Sequence, residues 1–158
     1  KVALLYYGNG QNEYDNIWRD AVTAALEKVY PGAYELQEVA DVPATEQLTQ
    51  TVEQVFAQGA DIMIKNVAGG ELTNTACGRH PDKICAPYYP QPLDGLAENM
   101  NGFYMEAWNS YYLQGKAAGM LTESNTIAWV GPFEINFITM HANALALGCQ
   151  SVNPDCEV

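Results

Sequence analysis

Apolar residues alternate along the chain between short continuous runs and helical spacing, which predicts alternating strands and helices. Residues 2–7 form an apolar run of strand length, and residues 14–29 carry apolar side chains at the period of a helix. The predicted apolar face of this helix consists of Trp18, Val22, Leu26 and Val29. Pro31 and Gly32 follow at once and are expected to end the helix.

The same alternation continues to the end of the sequence. The predicted strands are residues 34–39, 61–65, 84–89, 101–105 and 126–131, and the last residues are expected to begin another. The predicted helices are residues 44–58, 70–78, 107–121 and 133–147. Leu48, Val52, Val55 and Phe56 should face inward, and Gly115, Ala118 and Gly119 should allow close packing on a sheet. Repeated strand–helix–strand units predict an α/β fold, a parallel sheet with helices on both faces.

Composition narrows the possible partners. The chain has 158 residues and a formal charge of −12, from 7 Lys and Arg against 19 Asp and Glu. Nucleic acid and anionic lipid surfaces both require a basic face, so neither is an expected partner. No apolar stretch is long enough to span a membrane.

Four cysteines occur in two closely spaced pairs, Cys77 with Cys85 and Cys149 with Cys156. An even number at short spacing favours two local disulfides in an oxidising compartment. Two alternatives stay open at this point. Cys77, His80 and Cys85 could bind zinc, although a closed zinc site needs a fourth ligand. The thiols could also be free and buried.

Ligands of open parallel sheets bind beyond the carboxyl ends of the strands. The loops expected there offer amides, carboxylates and aromatic rings, a set suited to a neutral planar ligand with hydroxyl groups. The predicted ligand-binding residues are Gln11, Asn12, Tyr14, Asp15, Asn66, Glu71, Trp108 and Phe133.

Enzymatic motifs are missing from these loops. Gly8 and Gly10 resemble part of a dinucleotide loop, but Glu13 replaces the next glycine and would repel a pyrophosphate. Gly69-Gly70 lacks the Lys-Ser/Thr of a phosphate-binding loop. No nucleophile elbow or acid–base carboxylate pair is apparent, and His80 and His141 are expected to be structural. We therefore expect a binding protein without catalytic residues, cofactor or metal.

The second half of the chain resembles the basic membrane protein family, also called purine nucleoside receptor A-like solute-binding lipoproteins. The resemblance rests on Tyr112-Leu-Gln-Gly-Lys-Ala-Ala-Gly-Met-Leu-Thr122, Ile127-Ala-Trp-Val-Gly131, Asn143-Ala-Leu-Ala-Leu-Gly148 and Ser151-Val-Asn-Pro-Asp155. Weaker matches cover the first and third predicted strands. Members of this family are about twice as long as this chain.

The resemblance implies a type I periplasmic-binding-protein fold with two lobes. Residues 1–122 would form the N-terminal lobe, and residues 123–158 the hinge crossover and first β-α-β unit of a second lobe that is only partly present. It implies an ABC importer component that is periplasmic or attached to the outer face of the membrane by a lipid anchor outside this chain. Its partners would be a permease and a nucleoside-like or other small polar solute.

The resemblance also suggests roles for individual residues. Tyr14 takes the aromatic position of the family's Asp-x-x-aromatic-Asn motif and would stack on a base, whereas Gln11 and Asp15 replace its Asp and Asn. Glu71 would accept a hydrogen bond from the ligand. Two other functions remain open, a sensor domain with the same fold and a fragment of an α/β enzyme.

Overall fold

A computed structural model describes residues 1–88, 95–131 and 136–158. Its internal contacts divide the chain into two units, Lys1–Tyr104 and Met105–Val158. Helix 107–121 packs within the second unit. The division into lobes near residue 122 stays a prediction.

The first unit alternates strands and helices as the sequence predicts. Its elements are β1 (Val2–Tyr6), α1 (Glu13–Val29), β2 (Leu36–Val39), α2 (Glu46–Ala57), β3 (Ile62–Asn66), α3 (Gly70–Gly78) and β4 (Ile84–Pro87). The four strands are parallel, in the order β2-β1-β3-β4. The predicted α/β class with a parallel sheet is confirmed.

The predicted strand 101–105 is wrong. In this region the structure has only two bridges, Cys85 with Met100 and Tyr88 with Phe103. Each bridge is parallel, so these residues follow the edge of β4 without forming a continuous ladder.

Local signals explain where the helices of this unit begin. The Asn12 side chain accepts a hydrogen bond from the Asp15 N–H and so caps α1, and Thr45 caps α2 through the Gln47 N–H. Gly69 precedes α3 with a φ of 92°, a left-handed conformation that glycine adopts without strain.

Each face of the sheet is covered by different helices. One core cluster joins β1, β3 and β4 to α2 and α3, and all four predicted inward residues of α2 are buried there. The other cluster joins the opposite face to α1 through Trp18, Val22 and Leu26. Helices on both faces confirm the prediction. Val29 is an exception, since it is 64% exposed and lies on a groove of about 290 Å³.

The second unit is built on two helices, α4 (Ala107–Leu121) and α5 (Asn136–Gln150). The prediction that Gly115 and Gly119 pack on a sheet is wrong, because they pack on α5. A Cβ on Gly115 would lie 2.0 Å from the Leu145 carbonyl oxygen, and one on Gly148 2.0 Å from that of Tyr112. The missing side chains therefore allow the two helix backbones to touch.

The predicted strand 126–131 is also wrong within the described residues. Thr126 forms one parallel bridge with Glu157, supported by a 2.8 Å hydrogen bond from the Ile127 N–H to the Glu157 carbonyl. A strand needs a ladder of pairings with a neighbour, and the described part of this unit supplies only this bridge. The predicted start of the last helix, at residue 133, lies outside the described residues.

Two disulfides link the cysteines in the local pairing, Cys77 with Cys85 and Cys149 with Cys156. Neither pair is therefore available as zinc thiolates or as free thiols. The first bridge ties α3 to β4. Asn99 supports the same region, because its side-chain amide donates to the carbonyls of Cys77, His80 and Lys83 at 3.0, 2.9 and 2.9 Å.

Both histidines have packing or ionic roles. His80 contacts the Glu53 carboxylate and packs on the Phe56 ring, and its hydrogen bond holds the pKa of Glu53 below the usual range. His141 is buried in the second unit, with its ring stacked 4.3 Å from Tyr111. Burial lowers the pKa of His141.

Candidate functional site

The carboxyl edge of the sheet in the first unit brings together side chains from separate elements of the chain. Tyr14 comes from the segment after β1, Asn66 is the last residue of β3, and Tyr88 follows β4. Because all four strands are parallel, these positions meet at one edge of the sheet. We refer to Tyr14, Asn66, Tyr88 and Tyr104 as the tyrosine–asparagine edge.

The loop after β1 is held together by its own polar groups. The Asp15 carboxylate is 3% exposed and accepts hydrogen bonds from the Gly10 N–H, at 3.2 Å, and from the Asn12 amide. A Cβ on Gly8 would lie 2.3 Å from Asp15 Oδ2. Asn12 and Asp15, both predicted ligand residues, therefore use their hydrogen-bonding groups to shape this loop.

Tyr14 and Asn66 meet across the edge. The Tyr14 hydroxyl donates to Asn66 Oδ1 at 3.4 Å, while the tyrosine side chain remains 57% exposed. Asn66 is only 9% exposed, and its Nδ2 has no hydrogen-bond partner among the residues that the structure describes. A buried amide that lacks an acceptor is costly, so this N–H group requires an explanation.

Two further tyrosines extend the edge, and sequence reasoning missed both. The Tyr88 ring lies 4.9 Å from that of Tyr104 and 5.7 Å from that of Phe103. Burial raises the pKa of the Tyr88 hydroxyl, and the nearby hydroxyls of Tyr104 and Tyr14 raise it further. The Tyr88 phenol is therefore neutral at physiological pH. Tyr88 was predicted only as the interior of a strand, and its position directly after Pro87 was the available signal.

Lys65 was also missed. This residue precedes Asn66 in β3, is 0% exposed, and donates from Nζ to the Val67 carbonyl oxygen at 2.6 Å. Burial lowers the pKa of Lys65 to about 8. Among the described residues it forms no ion pair. The sequence signal was a lysine within an otherwise apolar run, Asp61-Ile-Met-Ile-Lys65.

The remaining predicted ligand residues are not assigned to the tyrosine–asparagine edge. Gln11 is exposed, and its backbone N–H donates to Asn9 Oδ1 at 2.9 Å. Glu71 is exposed in the first turn of α3. Trp108 belongs to the second unit, in the first turn of α4, and is half-buried. Phe133 lies outside the described residues.

The chemistry of the edge suits binding. It offers aromatic rings, phenol hydroxyls and one amide, and its nearby carboxylate, Asp15, is occupied inside the loop. The described part of the chain contains no cluster of three or more His, Cys, Asp or Glu side chains that could hold a metal ion. No helix formed by the described residues has the length and hydropathy to cross a membrane.

Comparison by sequence finds a transport protein. The Haloferax volcanii protein TsgA13, provisionally named as an ABC transporter glucose-binding protein, is 45% identical over 117 residues. The alignment covers 68% of this chain and 30% of TsgA13. This chain is homologous to an ABC transporter binding protein. No protein-family model matches it, and the resemblance to the basic membrane protein family stays a prediction.

Comparison by structure finds the same fold in two functional settings. An ABC transporter solute-binding protein from Conexibacter woesei aligns with a TM-score of 0.63 and 21% identity, over 99% of this chain and 52% of that one. A transcriptional activator of the comK gene from Bacillus halodurans aligns with a TM-score of 0.65 and 14% identity, over 98% and 51%. The fold is thus that of an ABC solute-binding protein, and the chain spans about half the length of these structures.

Proposed function

We propose that this chain belongs to the solute-binding component of an ABC importer and acts outside the cytoplasmic membrane. Its partner would be a permease, and any membrane attachment would come from a lipid anchor outside this chain. It would bind a small neutral solute that carries hydroxyl groups and would perform no catalysis. The homology to TsgA13 supports the transport role.

The observation that carries the proposal is the incomplete hydrogen bonding of Asn66. Its Oδ1 accepts a long bond from Tyr14, and within the described part of the chain its Nδ2 has no acceptor. A hydroxyl oxygen of a solute can supply that acceptor once the exposed Tyr14 side chain moves aside. Hydroxyl groups both donate and accept, so one solute could also replace the Tyr14 hydroxyl at Oδ1.

The rings of the edge favour a solute with an apolar face. Tyr14 presents an exposed ring, and Tyr88 and Tyr104 lie with their planes inclined at 45°. An exposed aromatic face can stack on a sugar ring or on a nucleobase. We infer a hydroxylated ring as the shared chemistry, found both in a free sugar such as the glucose in the name of TsgA13 and in a nucleoside, the ligand that the sequence resemblance implies.

A regulatory role is the second candidate, because the comK activator has the same fold at a similar TM-score. Fold likeness at 14% identity does not separate transport from regulation. The sequence relative is a transporter component, which favours transport.

Ligand-induced stabilisation of the purified protein tests the proposal. A panel of neutral hexoses, pentoses and nucleosides is added in turn, and the melting temperature is followed by circular dichroism. A solute at 100 times its dissociation constant stabilises the native state by about 2.7 kcal/mol, which raises the melting temperature by several degrees. The member of the panel that gives the shift identifies the solute class.

Matched variants locate the site. Asn66→Ala and Tyr14→Ala should each weaken binding by about tenfold, the equivalent of one lost hydrogen bond or ring contact. Tyr30→Ala is the control, because Tyr30 is a 54% exposed tyrosine at the C-terminal end of α1, away from the carboxyl ends of the strands. Equal binding by all three variants, or no shift with any sugar or nucleoside, would contradict the proposal.

A further inference from the structure

Lys65 occupies an unusual position for a lysine. Its side chain is fully buried in β3, one of the two central strands of the sheet. A buried ammonium group loses its hydration, and proteins normally compensate with a carboxylate partner. Among the described residues Lys65 has no such partner, and its recorded side-chain bond is to the Val67 carbonyl two residues away.

That bond links the last part of the strand to the residue that follows it. Val67 is 4% exposed, so its carbonyl needs an internal donor. The 2.6 Å bond from Lys65 supplies a charge-assisted one. Lys65 is thereby linked across Asn66 to the first residue beyond the strand.

Other contacts hold the segments on both sides of Asn66. The Tyr88 N–H donates to the Lys65 carbonyl at 2.8 Å, which ties the end of β3 to the tyrosine side of the edge. The Thr73 hydroxyl donates to the Gly69 carbonyl at 2.9 Å, and a Cβ on Gly69 would lie 3.0 Å from a Leu48 methyl carbon. Asn66 therefore lies between two segments that are each held by hydrogen bonds. The bond from Lys65 to the Val67 carbonyl is the one closest to Asn66 in sequence.

We propose that Lys65 is a positioning residue of the tyrosine–asparagine edge, whose ammonium group holds the Val67 carbonyl and so fixes the direction in which the Asn66 amide leaves the strand. Lys65 touches no solute, because it is fully buried. It acts through Asn66, and this inference rests on the proposed function. A positioning role accounts for a costly buried charge beside an amide that awaits an acceptor.

Lys65→Met tests this inference, since methionine fills a similar volume without a donor. We expect the variant to bind the solute at least about tenfold more weakly. We expect its melting temperature to stay within about 4 °C of wild type, because removal of the buried charge offsets the unsatisfied Val67 carbonyl. Lys28→Met, at an exposed lysine of α1, is the matched control and should change neither quantity.

A spectroscopic readout separates positioning from simple stability. In ¹⁵N-labelled protein, the side-chain amide pair of Asn66, assigned by its loss in Asn66→Ala, should lie away from random-coil shifts in wild type. In Lys65→Met it should move toward them. Retained solute affinity, an unchanged Asn66 amide signal, or a loss of affinity that only parallels a large loss of stability would each overturn the positioning role.

Two further outcomes are covered by the same measurements. Should Lys65→Met fail to fold, the wild-type Nζ protons decide the matter. Slow exchange and nuclear Overhauser contacts to Val67 support the positioning role, and fast exchange overturns it. Should wild type bind no sugar or nucleoside, the proposed function fails, while the Asn66 amide signal still tests the positioning role without any solute.

Discussion

Replacement of Gly115 by alanine should weaken the packing of α4 on α5. The added Cβ would lie 2.0 Å from the Leu145 carbonyl oxygen, 2.8 Å from its carbonyl carbon and 3.0 Å from the Cys149 nitrogen. Ordinary contact begins near 3.4 Å. The obstructing atoms belong to the backbone of α5 and cannot rotate away, so the helices must separate by more than about an ångström.

The magnitude follows from two opposing effects. Overpacking costs about 1–3 kcal/mol, and a clash with backbone belongs at the upper end of that range. Alanine is intrinsically favoured over glycine in a helix by about 1 kcal/mol. The net expectation is a loss of about 2 kcal/mol in the free energy of unfolding.

Urea denaturation followed by circular dichroism, with both disulfides intact, measures this loss. Gly78→Ala is the matched control, because its Cβ would lie 3.6 Å from the Ala97 Cβ, an ordinary contact, and no backbone atom obstructs it. The control should be neutral or slightly stabilising. If Gly115→Ala unfolds at the same urea concentration as Gly78→Ala, the helices are not in the close contact described here.

Three other predictions concern stability. Double alanine substitution of Cys77 and Cys85 should cost about 2–3 kcal/mol, since the bridge closes a short loop, and an unchanged urea midpoint would refute this. Asn99→Asp should be less stable than Asn99→Ala at neutral pH by about 1–2 kcal/mol, because the new carboxylate oxygen faces three carbonyls, and equal urea midpoints would contradict it. Burial lowers the pKa of Lys65 from its ordinary 10.5 to about 8, so the unfolded chain binds more protons between these values. Wild type should therefore gain up to about 2 kcal/mol relative to Lys65→Met as pH rises from about 8 to about 10, measured by urea titration at each pH, and a flat difference would exclude a buried, titrating lysine.

The pH window in the last prediction has an upper limit. Burial raises the pKa values of Tyr6 and Tyr88 above that of free tyrosine. A raised pKa stabilises the folded state below the ordinary tyrosine pKa, about 10, and this stabilisation is lost as pH rises further. Above about pH 10 the two tyrosines therefore lower the stability of the folded state as pH rises, whereas Lys65 raises it as pH rises from about 8 to about 10. The stabilities of wild type and Lys65→Met are compared only below about pH 10.

Periodicity by itself determined the elements of the first unit. Strand runs and helical faces are local patterns, and burial of Leu48, Val52, Val55 and Phe56 followed from spacing alone. The parallel sheet followed from the repeated strand–helix–strand order. Val29 departs from its pattern because it lines an open groove together with Ile64 of β3 and Ala86 of β4, so spacing on a helix does not reveal where packing against the sheet is incomplete.

Only the tertiary structure decided which residues meet. Tyr14 and Asn66 are 52 residues apart, and their contact depends on the pairing of β1 with β3. Tyr88 and Lys65 gave weak sequence signals. The role of Tyr88 depends on rings outside β4, and that of Lys65 depends on its bond to the Val67 carbonyl. The glycines of α4 indicated close packing correctly, but not that the partner is α5. Local sequence sets the periodicity of each helix and strand and the residues that cap the helices. Which surface each helix face packs against depends on segments that only folding brings together. The same holds for the unpaired hydrogen-bonding groups at the end of a strand.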